Sequence, residues 1–274
     1  MQIAKAAAKL PNSLRRFGFV SGARLLLQIE RELPKRSNCA RGYRLPDFPA
    51  PIRLRDQISD HAMFWQCIVD EQYDIRRFPQ TRRLLDDLRG QADQATPLLL
   101  DCGANIGMAS AWFANNFLKL EIVAVEPDAE NFEVLKANTA MFGPRVRCVR
   151  GAVWHESTWL SILNPDAGSA AFRVGEASAA APDSVRAYTV PELAALAGRD
   201  RPTIVKLDIE GAQKYLFTEN CDWVGDCHLI MLELDDWLMP WEGTSQPFFR
   251  AVSQYPFEYL MRGEVLFCFR DFRR

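Results

Sequence analysis

The chain has 274 residues, 48% of them apolar and 25% charged, with a formal net charge of −2. That is ordinary globular composition with room for one α/β domain and an extension, which excludes a fibre or a disordered chain. It also supplies no overall basic field to recruit nucleic acid, and no run reaches the ~20 apolar residues of a membrane-spanning helix.

The seven cysteines (Cys39, Cys67, Cys102, Cys148, Cys221, Cys227, Cys268) are scattered, with no C-x-x-C pair. The three histidines, His61, His155 and His228, show no metal-ligand spacing. No metal site is therefore expected, and buried thiols in a reducing, cytoplasmic compartment fit best.

The first 29 residues lack an acid but carry Lys5, Lys9, Arg15, Arg16 and Arg24. Two readings stand: a helical cap packed on the main domain, which is favoured, and a membrane-surface helix. Pro11, Gly18 and Gly22 predict short helical pieces. Pro34, Pro46, Pro49 and Pro51 mark a loop-rich connection. The apolar run 63–69 predicts a helix covering one end of the following domain. These features divide the chain into a helical extension, 1–90, and a domain, 91–274.

From Pro97 onward, strand and helix patterns alternate. Leu98-Leu99-Leu100 reads as a buried parallel strand, followed by a helix to about Asn116. Glu121 to Val125 predicts the second strand. Asp128 is placed to cap a helix that ends near Gly143. Val146 to Val153 reads as one strand, and Thr189-Val190-Pro191-Glu192 has the form of a capping box. Strands follow at Ile204–Leu207 and Leu229–Leu232, a helix near 248–253, and a closing pair at 257–261 and 265–269. Residues 164–184 read as an insertion. The fold class is α/β: a mostly parallel, doubly wound Rossmann-like sheet ending in an antiparallel hairpin.

Chemistry concentrates at three strand ends. Asp101-Cys102-Gly103-Ala104-Asn105-Ile106-Gly107 follows a strand and opens a helix, so Gly103 and Gly107 allow a tight turn and close ligand approach. Asn105 stands where the dinucleotide fingerprint needs its second glycine, and Asp101 would repel a pyrophosphate. A carboxylate there suits a cationic amino group such as that of S-adenosylmethionine. In Val125-Glu126-Pro127, Glu126 is placed to accept ribose hydroxyls. In Ile204-Val205-Lys206-Leu207-Asp208-Ile209-Glu210-Gly211, Lys206 and Asp208 share a side and must pair with each other or with a ligand.

The strings DCGANIG, VEPDAENFEVLKAN and IVKLDIEGAQ, together with Asp70-Glu71-Gln72-Tyr73, resemble the FkbM family of methyltransferases over about residues 97–235. The resemblance implies a class I methyltransferase fold and O-methylation by S-adenosylmethionine, with a hydroxyl of a sugar, glycan or natural product as acceptor. By position, Asp101, Gly103, Ala104, Asn105 and Gly107 would surround the methionine part, Glu126 and Pro127 the ribose, and Gly151 and Ala152 the adenine. Asp208 and Glu210 would face methyl donor and acceptor. The family's E-G-x-E acid is Gln213 in this chain. Candidate bases are Glu210, Asp208, Glu233 and His228. Asp235, Asp236 and Trp237 are placed to shape the acceptor pocket. A non-catalytic S-adenosylmethionine-binding protein and, less favoured, an NAD-dependent dehydrogenase remain alternatives.

Overall fold

A computed structural model describes residues 2–31, 40–90, 96–162, 174–176, 184–209 and 212–273 of the chain. Helices α1 (Gln2–Phe17) and α2 (Phe19–Arg31) form a hairpin around Gly18, whose φ of 77° suits a residue without Cβ. The expected breaks at Pro11 and Gly22 do not occur: Pro11 lies inside α1 and Gly22 inside α2. The packing between the helices outweighs these residues' poor helix propensity. Ser13 Oγ donates to Gly22 O at 2.9 Å, and a Cβ at Gly22 would come within 2.5 Å of Ser13 O. Gly22 is thus what lets the two helices touch.

The connection that follows is not purely helical. Strands β1 (Arg41–Tyr43) and β2 (Ile52–Leu54) pair antiparallel across the proline-rich segment. Helix α3 (Ile58–Met63) then runs into a π-helical turn, Phe64–Val69, and α4 (Pro79–Gly90) closes the extension. The short strands at 41–43 and 52–54 gave no signal in the sequence because three residues cannot display an alternating pattern.

The chain continues with β3 (Leu98–Cys102), α5 (Met108–Asn116), β4 (Glu121–Glu126), α6 (Ala129–Thr139) and β5 (Val146–Arg150). Asp128 caps α6 by accepting from Asn131 N. The single strand expected over 146–153 is interrupted at Gly151. Beyond it, β6 (Ala152–Val153) joins a second sheet with β7 (Thr158–Ile162), β8 (Val174–Glu176) and β9 (Ser184–Tyr188), in the order β6-β9-β7-β8. Most of the 164–184 insertion lies outside the described residues. Thr189 and Glu192 form the capping box of α7 (Val190–Leu196). The chain ends through β10 (Ile204–Leu207), α8 (Gln213–Leu216), β11 (Leu229–Glu233), α9 (Gln246–Val252), β12 (Phe257–Arg262) and β13 (Val265–Arg270).

The main sheet has seven strands in the order β12-β13-β11-β10-β3-β4-β5. The five from β11 to β5 are parallel, while β13 runs antiparallel to both β11 and β12. This is the doubly wound Rossmann-like fold. Alternate strand residues feed two cores: Leu99, Ile122, Ala124 and Met231 face one, and Leu100, Val123, Val125 and Ile230 the other. Helices α7, α8 and α9 cover the second face. The first is covered by α5 and α6 together with Leu25, Ile29, Ile52, Phe64, Ile68 and Leu84 from the extension. Chain order reverses between β3 and β10, where a doubly wound sheet opens a crevice at the carboxyl ends of its strands. Among the described residues, no helix is long and apolar enough to cross a membrane.

Candidate active site at the switch between β3 and β10

The loop after β3 carries three positive φ angles in five residues: Gly103 at 77°, Asn105 at 50° and Gly107 at 82°. Asn is among the few residues with a side chain that tolerate this region. The loop is tied down through its backbone. Gly103 N and Ala104 N both donate to Val125 O, at 3.0 and 2.9 Å, and Asn105 N donates to Glu126 Oε2 at 2.8 Å. Asp208 N donates to Cys102 O at 3.0 Å. A Cβ at Gly103 would sit 1.9 Å from Asp208 O, so only glycine lets the loops after β3 and β10 pass each other.

Beneath this loop lies a buried charge cluster. Asp101 is fully buried, pairs with Lys206 Nζ at 3.0 Å and accepts from Ser110 Oγ at 2.6 Å. Lys206 and Asp101 are register partners on β10 and β3. The same ammonium donates to Gly103 O at 3.0 Å and lies 3.3 Å from Asp208 Oδ2 and 5.5 Å from the Tyr73 ring centroid. Burial acts to neutralise Lys206, but Asp101, Tyr73 and Asp208 outweigh it and hold the ammonium well above the usual lysine range. Lys206 is therefore a fixed positive charge that orders two loops.

Glu126, at the end of β4, is only 5% exposed. Burial pushes its carboxyl up to about 7, against the lowering effect of the backbone N–H groups of Asp128 and Asn105. Asp128 N donates to Oε1 at 3.0 Å and Asn131 Nδ2 reaches it at 3.4 Å. Asn131 is itself held by the extension: Arg55 Nη2 donates to its Oδ1 at 2.6 Å, and Arg55 forms a buried pair with Asp60 at 2.8 Å.

A cavity of about 240 Å³ opens above these groups. On one side it is lined by Gly103, Asn105, Glu126, Pro127, Gly151, Ala152 and Asp208, and on the other by Gln66, Gln72, Glu233, Trp237 and Glu264. Of the residues expected to bind cofactor, Asp101, Ala104 and Gly107 are not on this wall. Asp101 is fully buried under the loop, where it pairs with Lys206. Ala104 donates its N–H to Val125 O while its side chain packs in the first core, and Gly107 packs on Leu135, where a Cβ would approach to 2.6 Å. Glu210 and Gly211 lie outside the described residues. His228 is remote, at the opposite end of β11 against Phe272, with ring centroids 4.5 Å apart. Asp235 is buried and lines a separate small cleft beside Gln213, Thr244 and Phe248. Gln213, in place of an acid, donates to the backbone O of Glu233 at 2.8 Å.

Glu233 and Trp237 do reach the cavity, the latter 73% exposed. Burial and the neighbouring Asp208 carboxylate raise the Glu233 carboxyl to about 7. Sequence reasoning did not find Gln72 as its partner. Gln72 Nε2 donates to Glu233 Oε1 at 2.6 Å across 161 residues of chain.

The donor set suits S-adenosylmethionine. Gly103 and Gly151 line the cavity with backbone alone, the buried Glu126 carboxylate suits a ribose diol, and Asp208 suits a cationic sulfonium.

Residues 101–236 match the methyltransferase FkbM domain. A comparison with curated proteins gives no match. Among solved structures, the chain is similar to the bifunctional kinase-methyltransferase WbdD at 13% identity and a TM-score of 0.41, covering 74% of this chain and 41% of that one. It is also similar to the fibrillarin/Nop5p complex, at 13% identity and a TM-score of 0.38 over 65% and 74% of the two chains. A third is the C-terminal domain of precorrin-6Y C5,15-methyltransferase from Rhodobacter capsulatus, at 15% identity and a TM-score of 0.34 over 65% and 82%.

Proposed function

Because the chain carries an FkbM methyltransferase domain over residues 101–236, we propose that it uses S-adenosylmethionine to methylate a hydroxyl of a sugar, glycan or natural-product acceptor in the cytoplasm. The observation that carries this reading is the shared cavity: Glu126, Gly103 and Asp208 line one side and Glu233 the other. When bound, the cofactor supplies an electrophilic methyl group on sulfur.

The protein's own contribution is alignment, exclusion of water and management of one proton. Gly103 and Asn105 offer backbone to the methionine part, Glu126 accepts from the ribose, and Gly151 and Ala152 flank the base. Asp208, steadied by Lys206, favours the positive sulfonium. Glu233 serves as general base for the acceptor hydroxyl. Oε1 is taken by Gln72, which leaves Oε2 to receive the proton. A carboxyl raised to about 7 is well matched to that task near neutral pH.

Calorimetric titration of the full chain with S-adenosylmethionine, S-adenosylhomocysteine and NAD tests the cofactor. Micromolar binding of the first two, with NAD silent, is the expected result. NAD binding with no response to either methionine derivative would overturn the assignment.

A further inference from the structure

The turn joining the extension to the cavity is held in an unusual way. Glu71 has a φ of 50°, uncommon for a residue with a long side chain. Its carboxylate accepts from Trp112 Nε1 at 3.3 Å, and Asp74 N donates to its carbonyl at 2.9 Å. Three successive carbonyls of this turn, those of Asp70, Glu71 and Gln72, all accept from one guanidinium, that of Arg262 at the end of β12. Its Nη2 donates to Asp70 O at 2.7 Å, and its Nη1 donates to Gln72 O at 3.2 Å and also to Glu71 O. The planar fork of arginine holds its donors on separate, rigidly spaced nitrogens, whereas the three donors of an ammonium converge on one atom. Immediately past these carbonyls, the Gln72 carboxamide reaches Glu233. From Arg262, the chain turns through Gly263 and Glu264 into β13, whose Val265 is the register partner of Glu233. The clamp on β12 and the carboxylate on β11 thus flank β13, where Val265 is the register partner of both Arg262 and Glu233.

We infer that Gln72 and Arg262 are positioning residues of the methyl-transfer site: Arg262 fixes the Asp70–Gln72 turn, and through it the Gln72 carboxamide orients the Glu233 carboxylate. This rests on the methyltransferase reading given above. The groups that act on Glu233 are Asp208 and Glu264, which repel it, Lys206, which attracts it, and Gln72, which donates to it. Because the Gln72 bond favours the ionised form, its loss should raise the titration midpoint of Glu233.

The test uses the full chain with 13C-labelled glutamate carboxyls, titrated by NMR, with the Glu233 resonance identified by its loss in Glu233→Gln. The wild-type midpoint is expected near 7. Gln72→Leu should raise it by roughly half a unit or more. Arg262→Lys keeps the positive charge but loses the Nη1–Nη2 fork that divides the carbonyls between two nitrogens, and should raise it by a similar amount. The double variant should shift it no further than either single change, because both act through one hydrogen bond.

An unmoved midpoint in Gln72→Leu would sink the proposal. An unmoved midpoint in Arg262→Lys, or additive shifts in the double variant, would reduce Arg262 to a purely structural role. Should Arg262→Lys not fold, Arg262→Gln is the second variant: a shift in the same direction is expected and its absence overturns the clamp. Binding of S-adenosylhomocysteine by the wild type is read separately. If the wild type fails to bind it, the methyltransferase reading falls, while the titration still decides the clamp.

Discussion

At the carboxyl ends of β10, β3, β4 and β5 the loops around the cavity are tied together through backbone hydrogen bonds, whereas beside β11 and β12 the ties are made by side chains. On the first side, Gly103 N, Ala104 N and Asp208 N reach main-chain carbonyls, and Gly151 N donates to Glu126 O at 3.1 Å. On the second side the contacts are Gln72 to Glu233 and Arg262 to the turn at 70–72, made between residues up to 192 apart in sequence. A backbone wall works only where a Cβ is forbidden or where one buried charge is required, so it leaves glycines and acids at fixed spacing. A wall of side chains can be assembled from many residue types and leaves no such trace.

The largest expected effect lies beneath the backbone wall. Lys206→Met leaves Asp101 buried with Ser110 still donating to it but no cation opposite, and should cost about 3–5 kcal/mol of stability by urea denaturation. A loss under about 1 kcal/mol would mean that the cluster does not hold the loops together.

Next in size is Glu126→Ala, which should weaken S-adenosylhomocysteine binding by about 2 kcal/mol, roughly thirtyfold in calorimetry. Unchanged affinity would remove Glu126 from the site. The same carboxylate sets a pH dependence. Its carboxyl is raised to about 7 in the free protein, and ribose hydroxyls donate to the ionised form. Affinity should therefore be full above about pH 7 and fall by up to tenfold per unit as pH drops below it. A flat profile between about pH 5 and pH 8 would contradict that assignment.

The smallest effect is expected across the cavity. Trp237→Ala removes a largely exposed side chain from the acceptor wall and should leave S-adenosylhomocysteine affinity within about twofold. A larger loss would show that the two walls are not separate in function.

The sequence by itself determined the alternation of strands and helices from Pro97 onward, because buried parallel strands must be continuous apolar runs and their helices need caps such as Asp128 and Thr189. It also placed Gly103, Glu126, Asp208 and Glu233 at strand ends, since a doubly wound sheet puts its ligand crevice there. Only the tertiary structure decided that Asp101 turns away from the cavity. Its spacing is the same whether the carboxylate meets a ligand or an ammonium, and only the register of β3 against β10 brings Lys206 opposite it. The same holds for Gln72, Arg55 and Arg262. Each acts on a residue far away in the chain, and nothing in the local pattern of a polar side chain records which distant partner the fold will bring within 3 Å.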